Sequence, residues 1–344
     1  MRRHIPVLIS AMSALMVAGC GSSDPAPRDR ALGDVKAFIT HNLDDLVGAS
    51  SELQSAAPAA DDDGWSSRSD ASALANMKAA WKKARTAYEH IEGAIAVLFP
   101  ELDISTDERY DGFLSTYGPD ANLFDGQGVT GVHAIERILW SDSIDAVVLA
   151  FESALPGYVA ARFPGNRQEA DDFKSGLCQR LVTDVRAMRD DFRPLALDPA
   201  AAFRGVVGSM HEQLEKAEKA ATGEEESRYA RYTLADMRAN VDAGRSTFAA
   251  FRPWLLSTNG GSDRATDIDT AFGRIDTAYA GLPGDALPAV PTTWSSLAPS
   301  AQDLATDFGR LWTVLRHEGD PEAPDSLVAE LSSAAAAIGI PELP

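Results

Sequence analysis

Apolar residues recur every three or four positions along most of the chain, and alternation with a period of two is not convincing anywhere. This pattern predicts an all-α fold without a significant sheet. Clusters of Pro, Gly and Asp mark the expected helix ends. The predicted helices are 32–56, 72–99, 130–140, 143–154, 167–192, 199–221, 225–256, 264–280, 298–317 and 323–338. The chain length suits two lobes, 32–165 and 166–344.

Two connections between these helices stand out. Residues 101–130 are predicted to form a long irregular loop, and loops of that length in compact domains are often functional. The acidic run Glu224 to Glu226 is expected to complement the N-terminus of the helix predicted over 225–256.

Gly126 to Gly131 fits G-x-G-x-x-G, but no strand precedes it, so a dinucleotide site is not predicted.

The first twenty residues have the pattern of an export signal. Two arginines precede an apolar run from Ile5 to Val17, which small residues and Cys20 follow. We interpret 1–19 as a lipoprotein signal peptide, Cys20 as the lipidated residue and 20–31 as a flexible tether rich in Gly, Ser and Pro. The protein is then expected at the cell envelope, lipid-anchored to a membrane and facing the periplasm or the cell exterior. The alternative is an ordinary signal peptide with a chance cysteine.

Charge and cysteine content narrow the possible partners. Asp and Glu number 51 against 31 Lys and Arg, which gives a net charge of −20. Such a chain repels nucleic acid and attracts cations, so no nucleic-acid partner is predicted. With Cys20 lipidated, Cys178 has no partner for a disulfide. Cys178 lies in an apolar helical pattern and is expected to be buried in the core.

The helix predicted over 72–99 has carboxylates on its apolar side. Glu92 falls within the stripe that includes Trp81 and Phe99, and Glu89 lies on its flank. A buried carboxylate requires a proton, a cation or a metal. The alternative is an ordinary amphipathic helix edge on which Arg85 pairs with these carboxylates.

A second pair of residues is more specific. His133 and Glu136 stand three residues apart on one face of a helix that opens after a Gly-rich stretch. Helical bundles bind metals with such a pair and carboxylates from a facing helix. The predicted metal ligands are Glu89, Glu92, His133, Glu136 and a loop carboxylate, Asp107 or Asp103. Oxygen-rich ligation favours a divalent or trivalent ion such as iron or manganese, and zinc and copper remain possible because they bind most such sites tightly.

Three stretches resemble the imelysin-like family. Trp81 to Glu92 is similar to its W-x-x-A-R-x-x-Y-E-x-I-E helix, 101–109 to its acidic loop, and Gly131 to Trp140 to its G-x-H-x-I-E-x-x-L-W signature. Segments 222–225 and 236–244 also resemble family segments. The resemblance implies one imelysin-like helical domain over 32–344, made of two packed four-helix-bundle lobes, with the His-x-x-Glu pair facing the Glu-x-x-Glu helix.

The resemblance also implies a function. Members of the family are associated with metal binding, usually of iron, so we expect a lipoprotein that captures or delivers iron, with a permease or a peroxidase of an iron-transport system as partner. A metallopeptidase of the imelysin type is one alternative, although the sequence gives no sign of a peptide-binding groove and enzymatic activity is not predicted. A binder of acidic polysaccharide that uses the metal as a bridge is another. Hydrolysis of peptides would distinguish the metallopeptidase from the other two.

Overall fold

Helices and the turns between them make up residues 25–341, the part of the chain that the computed structural model describes. The described part contains no strand, and the predicted all-α class is confirmed. The helices are α1 (Pro27–Ala56), α2 (Ala71–Glu89), α3 (Glu92–Leu98), α4 (Pro100–Asp107), α5 (Tyr110–Tyr117), α6 (Gly131–Leu139), α7 (Ala146–Ser153), α8 (Arg167–Asp172), α9 (Gln179–Phe192), α10 (Pro199–Lys219), α11 (Thr233–Leu256), α12 (Gly261–Ala280), α13 (Ala301–Leu304), α14 (Asp307–Glu318) and α15 (Leu327–Ala337).

The N-terminal predictions fall largely outside this range. The predicted signal peptide 1–19 and the predicted lipidation site Cys20 lie outside the described residues. Helix α1 begins at Pro27, inside the predicted tether 20–31, and proline suits the first helical turn because its missing N–H would have no partner there. None of the helices between residues 25 and 341 has the length and apolar character needed to cross a bilayer.

Helix α1 is the longest element and organises the core. It buries one face along its whole length, through residues such as Ile39, Leu43 and Leu53, against α2, α9 and α11. Burial of each such side chain stabilises the fold by about 1.5–3 kcal/mol. Most of the buried apolar residues form one continuous cluster that extends across both predicted lobes. The helices that carry the candidate ligands are therefore held by a shared core.

The helix predicted over 72–99 is in fact two helices. Helix α2 ends at Glu89 and α3 begins at Glu92. The break lets the backbone of α3 approach that of α10, where a Cβ on Gly93 would lie 2.4 Å from the carbonyl oxygen of Gly205. This close approach fixes a change of chain direction that helical periodicity does not reveal. Glu92 thus starts a new helix instead of following Glu89 on the same one.

Two further predicted boundaries were wrong. The supposed loop 101–130 contains α4 and α5, and only 118–130 is irregular. The helix predicted over 225–256 begins at Thr233, because the N–H groups of Tyr229 and Ala230 donate to a side chain instead of to helical carbonyls. The second error concerns a turn whose backbone N–H groups bond to a distant part of the chain.

The Cys178 prediction was correct. A π-helical turn, 173–178, joins α8 to α9, and Cys178 at its end is fully buried. Burial raises the pKa of its thiol well above the ordinary value, so the thiol stays protonated. Cys178 therefore acts as a small apolar core residue.

Candidate metal centre

The contact between α4 and the start of α6 brings two predicted ligands together. Gly131 adopts φ 85°, and a Cβ there would lie 2.3 Å from the carbonyl oxygen of Thr106. Only glycine permits both the positive φ and this approach. The hydroxyl of Thr130 donates to the carbonyl of Ser105 at 2.9 Å and closes the same contact. As a result, His133 lies beside Asp107, the last residue of α4.

Glu136 holds the imidazole of His133 on its Nδ1 side, opposite Nε2. Its Nδ1 lies 2.8 Å from Glu136 Oε2, and the other oxygen of Glu136 accepts the backbone N–H groups of Tyr229 at 2.9 Å and Ala230 at 2.7 Å. An ionised carboxylate only accepts hydrogen bonds, so Nδ1 of His133 carries a proton and donates it to Glu136. In the neutral ring, the lone pair of Nε2 is then free. Glu136 orients the imidazole and anchors the turn that contains Tyr229 and Ala230.

Three ligand-type side chains converge at the other ring nitrogen. Nε2 of His133 is 3.4 Å from Asp107 Oδ1 and 3.4 Å from Glu226 Oε1. One potential ligand atom from each of the three residues lies within 4.8 Å of those of the other two. Within residues 25–341, this Nε2 is a fully buried nitrogen without a hydrogen-bond partner. We call these three residues the His133 cluster.

Glu89 and Glu92 lie next to the cluster and contact a lysine. The ammonium of Lys216, on α10, is 3.1 Å from Glu89 Oε2, 2.9 Å from Glu92 Oε2 and 3.7 Å from Glu226 Oε2. The side chain of Lys216 is only 5% exposed. Asn240 donates from Nδ2 to the same Glu92 oxygen at 3.0 Å.

The guanidinium of Arg85 connects the two groups. It is fully buried and forms ion pairs with Glu89 and Asp107, and its Nη2 is 3.2 Å from Glu226. Its Nε is 3.4 Å from Asp236. The alternative in which Arg85 pairs with the carboxylates of its own helix is therefore correct for Glu89. Five carboxylates surround only two permanent cations here, Arg85 and Lys216.

A cavity of about 230 Å³ leads from the surface to these groups. Its basic residues are outnumbered by carboxylates, so a cation that enters is attracted along it. The acidic lining residues are Glu92, Asp103, Asp107, Glu108, Glu212, Glu215 and Glu226, and the basic ones are Arg109, Lys216 and Lys219. Burial and the nearby Asp107 raise the pKa of Asp103 to about 7, and burial and the nearby Glu92 raise that of Glu212 to about 7.

The excess of carboxylates also affects His133. Burial and Arg85 lower the pKa of its imidazole, but contacts with Asp107, Glu136 and Glu226 outweigh them and raise it well above the ordinary value. Without a metal, a proton on Nε2 thus supplies part of the missing positive charge. A metal bound there would replace that proton.

The family model for imelysin, which also has the peptidase name M75, matches residues 39–307. The match covers far more than half of the chain, including all the candidate ligands. The chain belongs to the imelysin family. Among curated proteins, this imelysin is similar to the iron uptake system component EfeM of Bacillus subtilis (strain 168), with 26% identity over 207 residues, 60% of this chain and 43% of that protein.

A second relative has the same sequence identity. The iron uptake system component EfeO of Yersinia pseudotuberculosis serotype I (strain IP32953) is 26% identical over 249 residues, 72% of this imelysin and 53% of that protein. EfeO of Yersinia pestis matches equally, at 26% over 249 residues. The imelysin chain thus spans about half the length of the curated relatives it matches.

The predicted ligands occupy four different positions in this imelysin. His133 and Asp107 belong to the cluster, Glu136 lies behind the imidazole, and Glu89 and Glu92 contact Lys216. Asp103 lies on the cavity wall, where the hydroxyl of Tyr88 donates to it. Sequence reasoning missed Glu226. The available signal is the run Glu224 to Glu226, which its position in the sequence assigns to a helix N-terminus.

Proposed function

We propose that this imelysin binds iron at the His133 cluster and serves as the metal-binding component of an iron uptake system at the cell envelope. Asp107, His133 and Glu226 are the proposed direct ligands. Glu136 fixes the orientation of the imidazole, and the acidic cavity attracts the cation. Manganese, zinc and copper could also bind to this nitrogen and oxygen donor set, so the names of the relatives favour iron more than the ligands do.

One observation carries the proposal. The Nε2 of His133 is buried without a hydrogen-bond partner in the described structure, and two carboxylate oxygens lie 3.4 Å from it. A metal at the centre of the cluster would use this nitrogen and offset the excess negative charge of its neighbours.

The first test is metal analysis of the protein purified without chelators or a His tag. It is followed by anaerobic titration with Fe²⁺ of the wild type, of His133→Ala and of a matched control, His41→Ala, whose side chain is 74% exposed on α1. We expect one ion per chain in the wild type and the control, and none in His133→Ala. Equal binding by all three proteins would contradict the proposed site.

A peptidase assay separates this function from the metallopeptidase alternative. The iron-loaded and zinc-loaded proteins are incubated with a mixture of unstructured peptides. We expect no cleavage, since the proposed task is binding and release. Cleavage that His133→Ala abolishes would favour the enzyme, and a metal-dependent interaction with an acidic polysaccharide would favour the third interpretation.

Export and anchoring are a separate part of the proposal. We propose that the segment 1–19 is removed, that Cys20 carries the lipid, and that a permease or a peroxidase at the same membrane receives or prepares the iron. The apolar run and the small residues before Cys20 support the export and the lipid anchor. Cells labelled with radioactive palmitate should show labelled wild type and unlabelled Cys20→Ser. Equal labelling of the two would contradict the anchor but not the metal site.

A further inference from the structure

Lys216 contacts three carboxylates beside the proposed iron site. Its ammonium is within 3.7 Å of oxygens from Glu89, Glu92 and Glu226, residues from α2, α3 and the turn before α11. Three carboxylates around one buried cation resemble the ligand shell of a metal ion. Metal–oxygen distances of about 2.0–2.6 Å would require only small movements of these side chains.

The carboxylate shell around Lys216 is held in place independently of the lysine. Tyr279 donates from its hydroxyl to Gln213 Oε1 at 2.7 Å, and Gln213 Nε2 is 3.2 Å from Asn240 Oδ1. These bonds orient the amide of Asn240, so its Nδ2 must face Glu92 Oε2, at 3.0 Å, and the carbonyl of Glu89, at 2.8 Å. Removal of the lysine would therefore leave Glu92 in the same place.

We propose that Lys216 is a built-in cation which occupies a potential second metal position and so limits the centre to a single ion. The inference rests on the proposed function, because it assumes that the His133 cluster binds the first ion. Lys216 is a specificity-determining residue that never touches the iron. It acts by holding Glu89 and Glu92, which could otherwise serve as ligands.

The charges show why an open position next to these carboxylates would attract a second cation. Glu89, Glu92 and Glu226 face Lys216, and Arg85 is the other permanent cation in contact with this group. Without the ammonium, the site would have one more uncompensated negative charge in a buried position, which attracts a second cation. Since Lys216 also lines the cavity, that cation has a path from the surface.

The test compares substitutions that differ in charge and in space. Lys216→Ala removes the ammonium and opens its position. Lys216→Met removes the charge but fills the same volume, and Lys216→Arg keeps a cation. Lys83→Ala removes a lysine of α2 that pairs with Glu52, is 60% exposed and does not line the cavity. Each protein is titrated anaerobically with Fe²⁺, and the bound metal is counted by mass spectrometry.

We expect two ions per chain for Lys216→Ala and one for the wild type and the other three variants. Addition of Glu92→Gln to Lys216→Ala should return the count to one, because the second ion loses a ligand. If Lys216→Ala does not fold, Lys216→Ser replaces it. Its small polar side chain leaves the ammonium position open, and two ions are again expected.

Two results separate the possible failures. One ion in every folded variant, with unchanged affinity, would overturn the role of Lys216 and leave the proposed function intact. No ion in the wild type or in any variant would show that the proposed function itself is wrong. A second ion that persists after Glu92→Gln would also overturn the inference, because it would lie elsewhere.

Discussion

Two buried charged networks meet on α6, and they differ in how well they are paired. Arg137 is bonded to Glu152 at 3.0 Å and to the carbonyl of Val159 at 2.6 Å, and it packs on the ring of Tyr110. Glu152 also accepts from the hydroxyl of Tyr229. Within the described residues, neither Arg137 nor Glu152 has a buried side-chain nitrogen or oxygen that lacks a hydrogen-bond partner.

The network one turn earlier on α6 is not closed in this way. His133 has a buried nitrogen with no hydrogen-bond partner among the described residues and two carboxylate oxygens at 3.4 Å, the surrounding carboxylates outnumber the cations, and a cavity reaches the group from the surface. Burial of charge alone therefore does not indicate a site. A balanced, fully bonded network stabilises the fold, whereas an unbalanced and accessible one has the properties of a binding site.

The largest expected effect is a loss of stability after substitution in the fully bonded network of Arg137 and Glu152. Arg137→Met should lower the free energy of unfolding by about 3–5 kcal/mol, because it leaves the carboxylate of Glu152 buried without a cation. The double variant with Glu152→Gln should recover part of the loss. Denaturant unfolding of the metal-free proteins measures both. A loss of unfolding free energy below about 1 kcal/mol for Arg137→Met would contradict the view that this network stabilises the fold.

The next effect concerns Glu226, a proposed ligand that the sequence patterns do not reveal. Glu226→Ala should weaken Fe²⁺ binding by about 100-fold, since even partners that merely orient ligands typically contribute 10- to 100-fold. The matched control is Glu225→Ala, the neighbouring residue, which lines a different cavity. Calorimetric titration of both should show a loss only for Glu226. Equal effects of the two would indicate a general charge effect.

Glu136→Gln tests how the imidazole is oriented. The backbone N–H groups of Tyr229 and Ala230 require the oxygen of the new amide, so its NH₂ group must face His133 Nδ1. The ring then carries its proton on Nε2, where the metal should bind. We expect a 10- to 100-fold loss of affinity with the fold intact. Undiminished affinity, measured by titration, would show that Glu136 does not set the tautomer.

The pH dependence follows from the raised pKa of His133. A group with a raised folded-state pKa stabilises the metal-free fold at low pH and loses that contribution as pH rises through its pKa. Metal binding has the opposite trend, because the proton must leave. Affinity should fall by up to about tenfold per pH unit once the pH drops below this raised pKa, and the fall should already begin above the ordinary pKa of about 6.5. Titrations in buffers of different ionisation enthalpy count the released protons, and none released would contradict a protonated His133.

Cys178→Ala should have the smallest effect. The residue is buried in the core, away from the His133 cluster, so the variant should lose about 1 kcal/mol of stability or less. Its affinity for Fe²⁺ should equal that of the wild type. A clear loss of affinity in the folded variant would mean that a thiolate contributes to the site.

Local patterns predicted part of this centre. His133 and Glu136 are neighbours by helical spacing, and Asp107 was within the segment expected to supply a ligand. The position of Glu226 depends on bonds between the turn before α11 and Glu136, more than 90 residues earlier. Lys216 meets Glu89 and Glu92 from 127 and 124 residues away. Spacing along one helix cannot reveal such contacts, and it could not separate a ligand from the residue that orients it.

The backbone contact at Gly131 has a consequence for how this protein can evolve. The distance between α4 and α6 is set by main-chain atoms, because no side chain intervenes between Gly131 and Thr106. Core side chains elsewhere can therefore drift in size over many generations without changing the separation of Asp107 and His133. Relatives with little overall identity can retain the same donor geometry, provided that this glycine is retained.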